Sequence, residues 1–83
     1  MDYPIDYDAY TTEEIVEIIA FLHALEQHKF GDEISADELL SRYNTYRSIL
    51  NNKAEEKRID KAFESQTGIA IYRTMNTIKK SSS

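Results

Sequence analysis

Residues Thr11 to His28 read TTEEIVEIIAFLHALEQH, and no other stretch limits the possible folds so tightly. Projected at about 100° per residue, Phe21, Leu25, Ile18, Leu22, Ile15, Ile19 and Val16 spread over roughly 220° of helix surface, about twice an ordinary amphipathic stripe. One neighbour cannot cover that arc. The stretch therefore predicts a hub helix on which two or more other elements pack.

The rest of the chain has to supply those elements. Its 83 residues suffice for one domain that buries about 60 to 65% of the surface its unfolded form exposes, so stability depends closely on the core. With no cysteine, no disulfide or thiolate metal site can reinforce that core, and no cysteine nucleophile is present. Met1 is followed by Asp2, Tyr3 and Pro4 without a basic leader region, and the longest apolar run, Ile18 to Leu22, falls far short of a span of about 20 residues. The expectation is a soluble cytoplasmic protein without a membrane segment. Two glycines and one proline against six tyrosines and three phenylalanines describe a folded helical chain rather than a flexible one.

Charge is placed unevenly. Residues 1–38 carry eleven Asp or Glu and only Lys29 as a cation, whereas residues 39–83 carry nine Lys or Arg and four Asp or Glu. An acidic first half can attract a basic second half within one fold, or the two signs can mark a docking surface.

In chain order, residues 1–10 (MDYPIDYDAY) combine a proline and aspartates, which oppose a helix, with Tyr3, Ile5, Tyr7 and Tyr10, which are too apolar for a free tail. An ordered extended arm packed across a helical bundle is expected. Asp6 and Asp8 lack the glycine and distal glutamate of a calcium loop, so no metal site is read there. Thr11 with Glu14 matches a capping box, and Tyr10 before it can staple onto Ile15. The hub helix, residues 11–29, should fade where Phe30 leads into Gly31-Asp32-Glu33. His23 and His28 point about 140° apart on that helix and cannot chelate one ion.

Ser35-Ala36-Asp37-Glu38 reads as a second capping box with Ile34 and Leu39 as its staple, opening a helix over residues 35–50. Its stripe of Ala36, Leu39, Leu40, Tyr43, Tyr46 and Leu50 is about 120° wide, enough to cover the hub on one side. Asn51-Asn52 breaks the chain, and Asn52 with Glu55 starts a third helix over residues 53–67. That helix offers only Ile59, Ala62 and Phe63 to a core. Lys53 with Glu56, Lys57 with Asp60 and Lys61 with Glu64 are spaced as i, i+3 ion pairs on a solvated face. Glu55 and Glu56 flank its apolar stripe, where a carboxylate can accept a tyrosine hydroxyl or serve simply as a first-turn acid. Gly68 suits a left-handed helix end, and Ile71, Tyr72, Met75 and Ile78 line a short last helix over residues 69–79, followed by a frayed tail over 80–83. The expected fold is all-α, a small four-helix bundle-like domain of three main helices and a short C-terminal one.

Tyr3-Pro4-Ile5, Thr12-Glu13-Glu14-Ile15, Lys53-Ala54-Glu55-Glu56-Lys57, Phe63-Glu64, Gly68 and Tyr72, in this order and spacing, resemble uncharacterised protein family 0223, small proteins of Gram-positive bacteria. The resemblance runs from about Tyr3 to Lys79. The chain departs from it at Tyr10, where tryptophan is expected, and at Leu22, where a second phenylalanine is expected; both keep the core apolar. The resemblance implies a compact helical protein of the bacterial cytoplasm and no particular activity. It singles out Tyr3, Pro4, Lys53, Glu55, Glu56, Lys57, Phe63, Glu64, Gly68 and Tyr72, to which the aromatic arm adds Tyr7.

For function, the chain offers no glycine-rich phosphate loop, no His-Glu-x-x-His and no serine in a nucleophile elbow. Glu55 and Glu56 diverge by about 100° on a helix and form no acid/base pair by themselves. Neither an enzyme nor a cofactor is expected. Arg42, Arg47, Lys53, Lys57, Arg58 and Lys61 on the second and third helices allow a nucleic-acid reading, against which stand the net charge of −5 and the interleaved acids. The preferred expectation is a non-catalytic protein-interaction or regulatory module that binds a protein partner or a second copy of itself, the tyrosine-rich arm being the kind of surface that interfaces favour.

Overall fold

The computed structural model describes residues 3–31 and 33–82, with the backbone alone described for Ser81 and Ser82. Four α-helices follow one another: α1 (Thr12–Lys29), α2 (Ala36–Leu50), α3 (Lys53–Thr67) and α4 (Ile71–Ser82). Among the described residues there is no strand, so the fold is all-α. The radius of gyration, 12.1 Å, is close to the ~12 Å of a compact chain of this length.

Local chemistry sets most of the boundaries. The Thr11 side chain accepts the Glu14 backbone N–H at 3.1 Å while the Thr11 N–H donates to Glu14 Oε1 at 2.9 Å, a complete capping box. At α2 only half of the expected box forms. Ser35 Oγ accepts from the Glu38 N–H at 3.1 Å, but the Glu38 carboxylate turns along the helix to Arg42 Nη2 at 3.5 Å. Asn51 ends α2 in the left-handed region, a conformation asparagine tolerates. Asn52 Oδ1 then accepts from both Ala54 and Glu55 N–H at the start of α3. Gly68, at φ 79°, closes α3 with its N–H donating to the Glu64 carbonyl at 2.8 Å. A side chain there would be strained by the backbone alone.

The last helix departs from expectation at both ends. It begins at Ile71, not residue 69, because Ile69 and Ala70 continue the turn that Gly68 opens. It runs to Ser82, so residues 80–82 are helical rather than frayed; Lys79 and Lys80 in the last turn suit the negative end of the helix dipole. Ser83 lies outside the described residues.

The core joins Ile18, Phe21, Leu22, Ala24 and Leu25 of α1 to Leu39, Tyr43, Tyr46 and Leu50 of α2, Ile59 and Phe63 of α3, and Ile71, Met75 and Ile78 of α4. The buried arc of α1 is narrower than predicted and displaced toward Ala24. Ile15 and Ile19 are half-buried and Val16 is 57% exposed. The central position belongs to α2, which neighbours all three other helices closely, whereas α1 runs closest along α2 and meets α3 and α4 more weakly. The large Tyr43 and Tyr46 rings explain this exchange of roles: both pack tilted against Phe21, with centroids 5.4 and 4.7 Å away.

Residues 3–10 are neither helix nor strand and include tight turns, Ile5 N–H to Tyr3 carbonyl at 2.8 Å and Ala9 N–H to Asp6 carbonyl at 3.0 Å. The Asp6 carboxylate also accepts the Asp8 N–H, the local bond that makes aspartate a turn residue. Ile5 is buried in the core, Tyr3 stacks on Phe63 at 6.3 Å between centroids, and Tyr10 packs partly buried beside them. Met1 and Asp2, also placed in the arm by the sequence pattern, lie outside the described residues.

Candidate functional site

Because α3 buries only Ile59 and Phe63, the flank it turns toward α2 and the start of α4 is polar. Between these three helices lies a pocket of about 470 Å³. Its floor is aromatic and apolar, from Tyr43 and Tyr46 of α2 and Ile71 and Tyr72 of α4; its walls are Arg47, Lys53, Glu56, Lys57 and Asp60. Two shallower recesses extend it. One of about 300 Å³ runs over Asn44, Asn51 and Asn52, sharing Arg47, Lys53 and Glu56. The other, about 280 Å³, runs over Lys61, Glu64, Ala70 and Arg73, sharing Lys57, Asp60 and Tyr72. The shared residues set the three recesses side by side along α3, and together they are called the groove.

Each wall carboxylate has a defined partner. Glu56 Oε1 lies 3.5 Å from Arg47 Nε across the α2–α3 gap, and the Arg47 guanidinium sits 5.5 Å from the Tyr43 ring centre in a cation–π contact. Asp60 spans from α3 to the start of α4, accepting the Ile71 N–H at 2.8 Å on Oδ1 and the Tyr72 N–H at 3.4 Å on Oδ2. It thereby caps a helix that has no capping residue of its own. The expected Lys53–Glu56 and Lys57–Asp60 pairs are not formed among the described residues, nor is Lys61–Glu64. Glu56 and Asp60 are drawn inward by Arg47 and by the free amides of α4, leaving the lysines to solvent.

Burial raises the Tyr43 and Tyr46 hydroxyls above their ordinary range. For Tyr43 burial dominates, with Arg47 opposing it. Tyr46 is the extreme case: the side chain is 1% exposed, burial pushes its hydroxyl far up, and the nearby Glu56 and Asp60 carboxylates push in the same direction. Among the described residues its hydroxyl has no hydrogen-bond partner.

The residues singled out in the sequence divide between two sides of α3. Lys53, Glu56, Lys57, Glu64 and Tyr72 meet in the groove. Glu55 faces the other flank, where Arg58 donates from Nε to its Oε2 at 3.2 Å and from Nη2 to its Oε1. The Arg58 guanidinium holds the Glu55 carboxyl below the usual carboxylate range, with the Tyr10 hydroxyl assisting. The Tyr10 hydroxyl is in turn raised, first by burial and then by Glu55. Glu55 is thus the carboxylate whose charge acts on the Tyr10 hydroxyl, and Glu56 instead pairs with Arg47. Tyr3 and Phe63 are packing partners, Pro4 is half-buried, and Tyr7 is 49% exposed on the turn. The Gly68 carbonyl accepts from Lys29 Nζ at 3.2 Å, tying the end of α3 to the end of α1.

The sequence pattern does not single out Tyr43, Tyr46, Asp60, Ile71 or Arg73 for a site. The one available signal was the Gly68-Ile69-Ala70 entry to α4, which contains no Ser, Thr, Asp or Asn and so requires its cap from elsewhere. His23 and His28 are both exposed. Among the described residues no three His, Cys, Asp or Glu side chains gather as metal ligands, and no helix is long and apolar enough to cross a membrane. Three arginines of the basic set are engaged by acids, Arg42 by Glu38, Arg47 by Glu56 and Arg58 by Glu55.

The model of an uncharacterised protein family, UPF0223, matches residues 1–83. The chain is similar to a UPF0223 protein of Streptococcus gordonii, 36% identical over 77 residues that cover 93% of this chain and 82% of the relative. A UPF0223 protein of Bacillus cytotoxicus is 40% identical over 73 residues, covering 88% and 80%. One of Staphylococcus saprophyticus is 33% identical over 79 residues, covering 95% and 84%. No solved structure matches the chain.

Proposed function

Since the chain belongs to the uncharacterised protein family UPF0223, we propose that it is a non-catalytic protein-interaction or regulatory module of the bacterial cytoplasm. In this reading the four helices form a bundle-like domain completed by an ordered N-terminal arm, with Ile5 and Tyr3 as the arm's anchors. The observation that supports it best is the groove along α3, which joins an aromatic floor that includes Tyr72 to walls bearing the Lys53, Glu56, Lys57 and Glu64 side chains. Aromatic floors edged by charge are the usual makings of a recognition surface.

The rival reading, nucleic-acid binding by the basic faces of α2 and α3, is favoured by the exposed row Lys53, Lys57 and Lys61. It is weakened by the three arginines already held by carboxylates, whose field toward a phosphate is reduced. Capture of the tagged protein from nuclease-treated and untreated bacterial extract at moderate salt separates the two. A specific protein that survives nuclease treatment is the expected result. Material lost on nuclease treatment, with no protein retained, would give the function to the basic faces of α2 and α3.

A further inference from the structure

The groove has unbalanced charge. Lys53, Lys57 and Lys61 stand exposed along one edge of α3, and Arg73 of α4 lies across from them. None of these four side-chain cations has an ion-pair or hydrogen-bond partner among the described residues. Of the groove's three carboxylates, Glu56 is held by Arg47 and Asp60 by the first amides of α4. Glu64 alone is left to oppose the cations. Between the two edges, Tyr72 is 64% exposed, beside Tyr43 and Ile71.

The spacing of the row carries a second constraint. Successive lysines are four residues apart, about 6 Å along the helix axis. Alternate residues of an extended peptide are about 6.7 Å apart and point the same way. An extended segment with acids at every second position therefore matches the lysine edge, and its intervening side chains turn toward the aromatic floor. A phosphodiester chain fits less well. It carries a charge at every backbone step, so its phosphates run past Glu64 as well as past the lysines. The leading amides of α3, which otherwise attract phosphate, already donate to Asn52 Oδ1.

We propose that this groove receives an extended acidic segment of a partner protein, with carboxylates at alternate positions against Lys53, Lys57 and Lys61 and an aromatic or branched apolar side chain between them on Tyr72 and Ile71. The assignment rests on the protein-interaction reading and names the site and the partner chemistry for it. The affinity is governed by charge at the rim and falls steeply with salt.

The test is a fluorescence-anisotropy titration of the full chain into a labelled synthetic peptide that alternates aspartate with tyrosine and isoleucine, beside the same peptide with asparagine for aspartate. The aspartate peptide should bind and the asparagine peptide should bind about tenfold more weakly or worse. The double variant Lys57→Glu, Lys61→Glu and the single variant Tyr72→Ala should each weaken binding by about tenfold or more. All three positions are exposed, so circular dichroism and melting should stay as in the parent. Equal binding of the two peptides, or undiminished binding by the charge-reversed variant, overturns the proposal. So does tighter binding of a single-stranded oligonucleotide than of the peptide. Sedimentation that shows self-association abolished by the charge reversal, with no peptide bound, overturns it in favour of a second copy as occupant. Extract capture with the charge-reversed variant separates the two levels of inference: a specific protein still retained leaves the interaction reading standing and removes only the groove.

Discussion

Helices α1 and α3 are close in length and opposite in use. α1 buries Ile18, Phe21, Leu22, Ala24 and Leu25, while α3 buries only Ile59 and Phe63. The residues of α3 that a purely structural helix would give to the core are carboxylates instead, and each reaches a neighbouring element: Glu56 to Arg47, Asp60 to α4, Glu55 to the flank that Tyr10 shares. α1 holds the molecule by apolar area, which is not directional. α3 holds it by a few aimed bonds and two anchors, which leaves a polar groove beside it. A helix thin in apolar residues is therefore not a weaker copy of its neighbour but the place where surface chemistry can be arranged.

The largest effect should come from the few anchors of α3. Phe63→Ala removes a fully buried ring that also supports Tyr3, and a loss of about 3 to 5 kcal/mol in urea unfolding is expected. Val16→Ala on α1, at a position 57% exposed, should change stability by less than about 0.5 kcal/mol. Equal losses at the two positions would contradict the displaced arc of α1. Next is the bridge from α3 to α4. Asp60→Ala strips the α4 amides of their cap and should cost about 1 to 2 kcal/mol, with amide hydrogen exchange accelerated first at Ile71 and Tyr72. Protection unchanged there would show that α4 is held by its apolar face alone.

Tyr46 reverses the usual direction. Its buried hydroxyl has no partner among the described residues, so Tyr46→Phe should leave the fold intact and raise stability by about 1 kcal/mol. Tyr3, Tyr10, Tyr43 and Tyr46 are all raised when folded. Their contribution is therefore full below about pH 10, the ordinary tyrosine value, and is lost as the pH rises through the higher folded values. Ultraviolet titration of tyrosinate should show the buried rings ionising together with unfolding; free titration of all six at the ordinary value would disprove their burial.

The smallest effect separates the two adjacent glutamates. Glu55 is lowered by Arg58, so its contribution is present above the ordinary glutamate value and disappears as the pH falls through the lower folded one. Glu55→Gln should flatten the acid side of the stability profile by a few tenths of a kcal/mol, since the pair is partly solvated. Glu56→Gln, which loosens Arg47 at the groove wall, should instead change peptide binding in the groove.

The sequence by itself determined the helices. Thr11 with Glu14, Ser35, Asn52 and Gly68 act on backbone groups within one turn of themselves, and each does in the structure what its local chemistry dictates. The span of α3 and most of the apolar residues of the core stripes follow from the same short-range signals, whereas Val16 and Tyr72, read as lining apolar faces, are exposed. Only the tertiary structure decided that Asp60 caps a helix eleven residues away, that Glu56 finds Arg47 rather than Lys53, and that Val16 is left in solvent. A local signal selects among conformations of one segment. The partner of a side chain that reaches beyond its own turn depends on how whole helices are placed, and that placement is fixed by packing summed over the core, to which no single stretch of sequence holds the key.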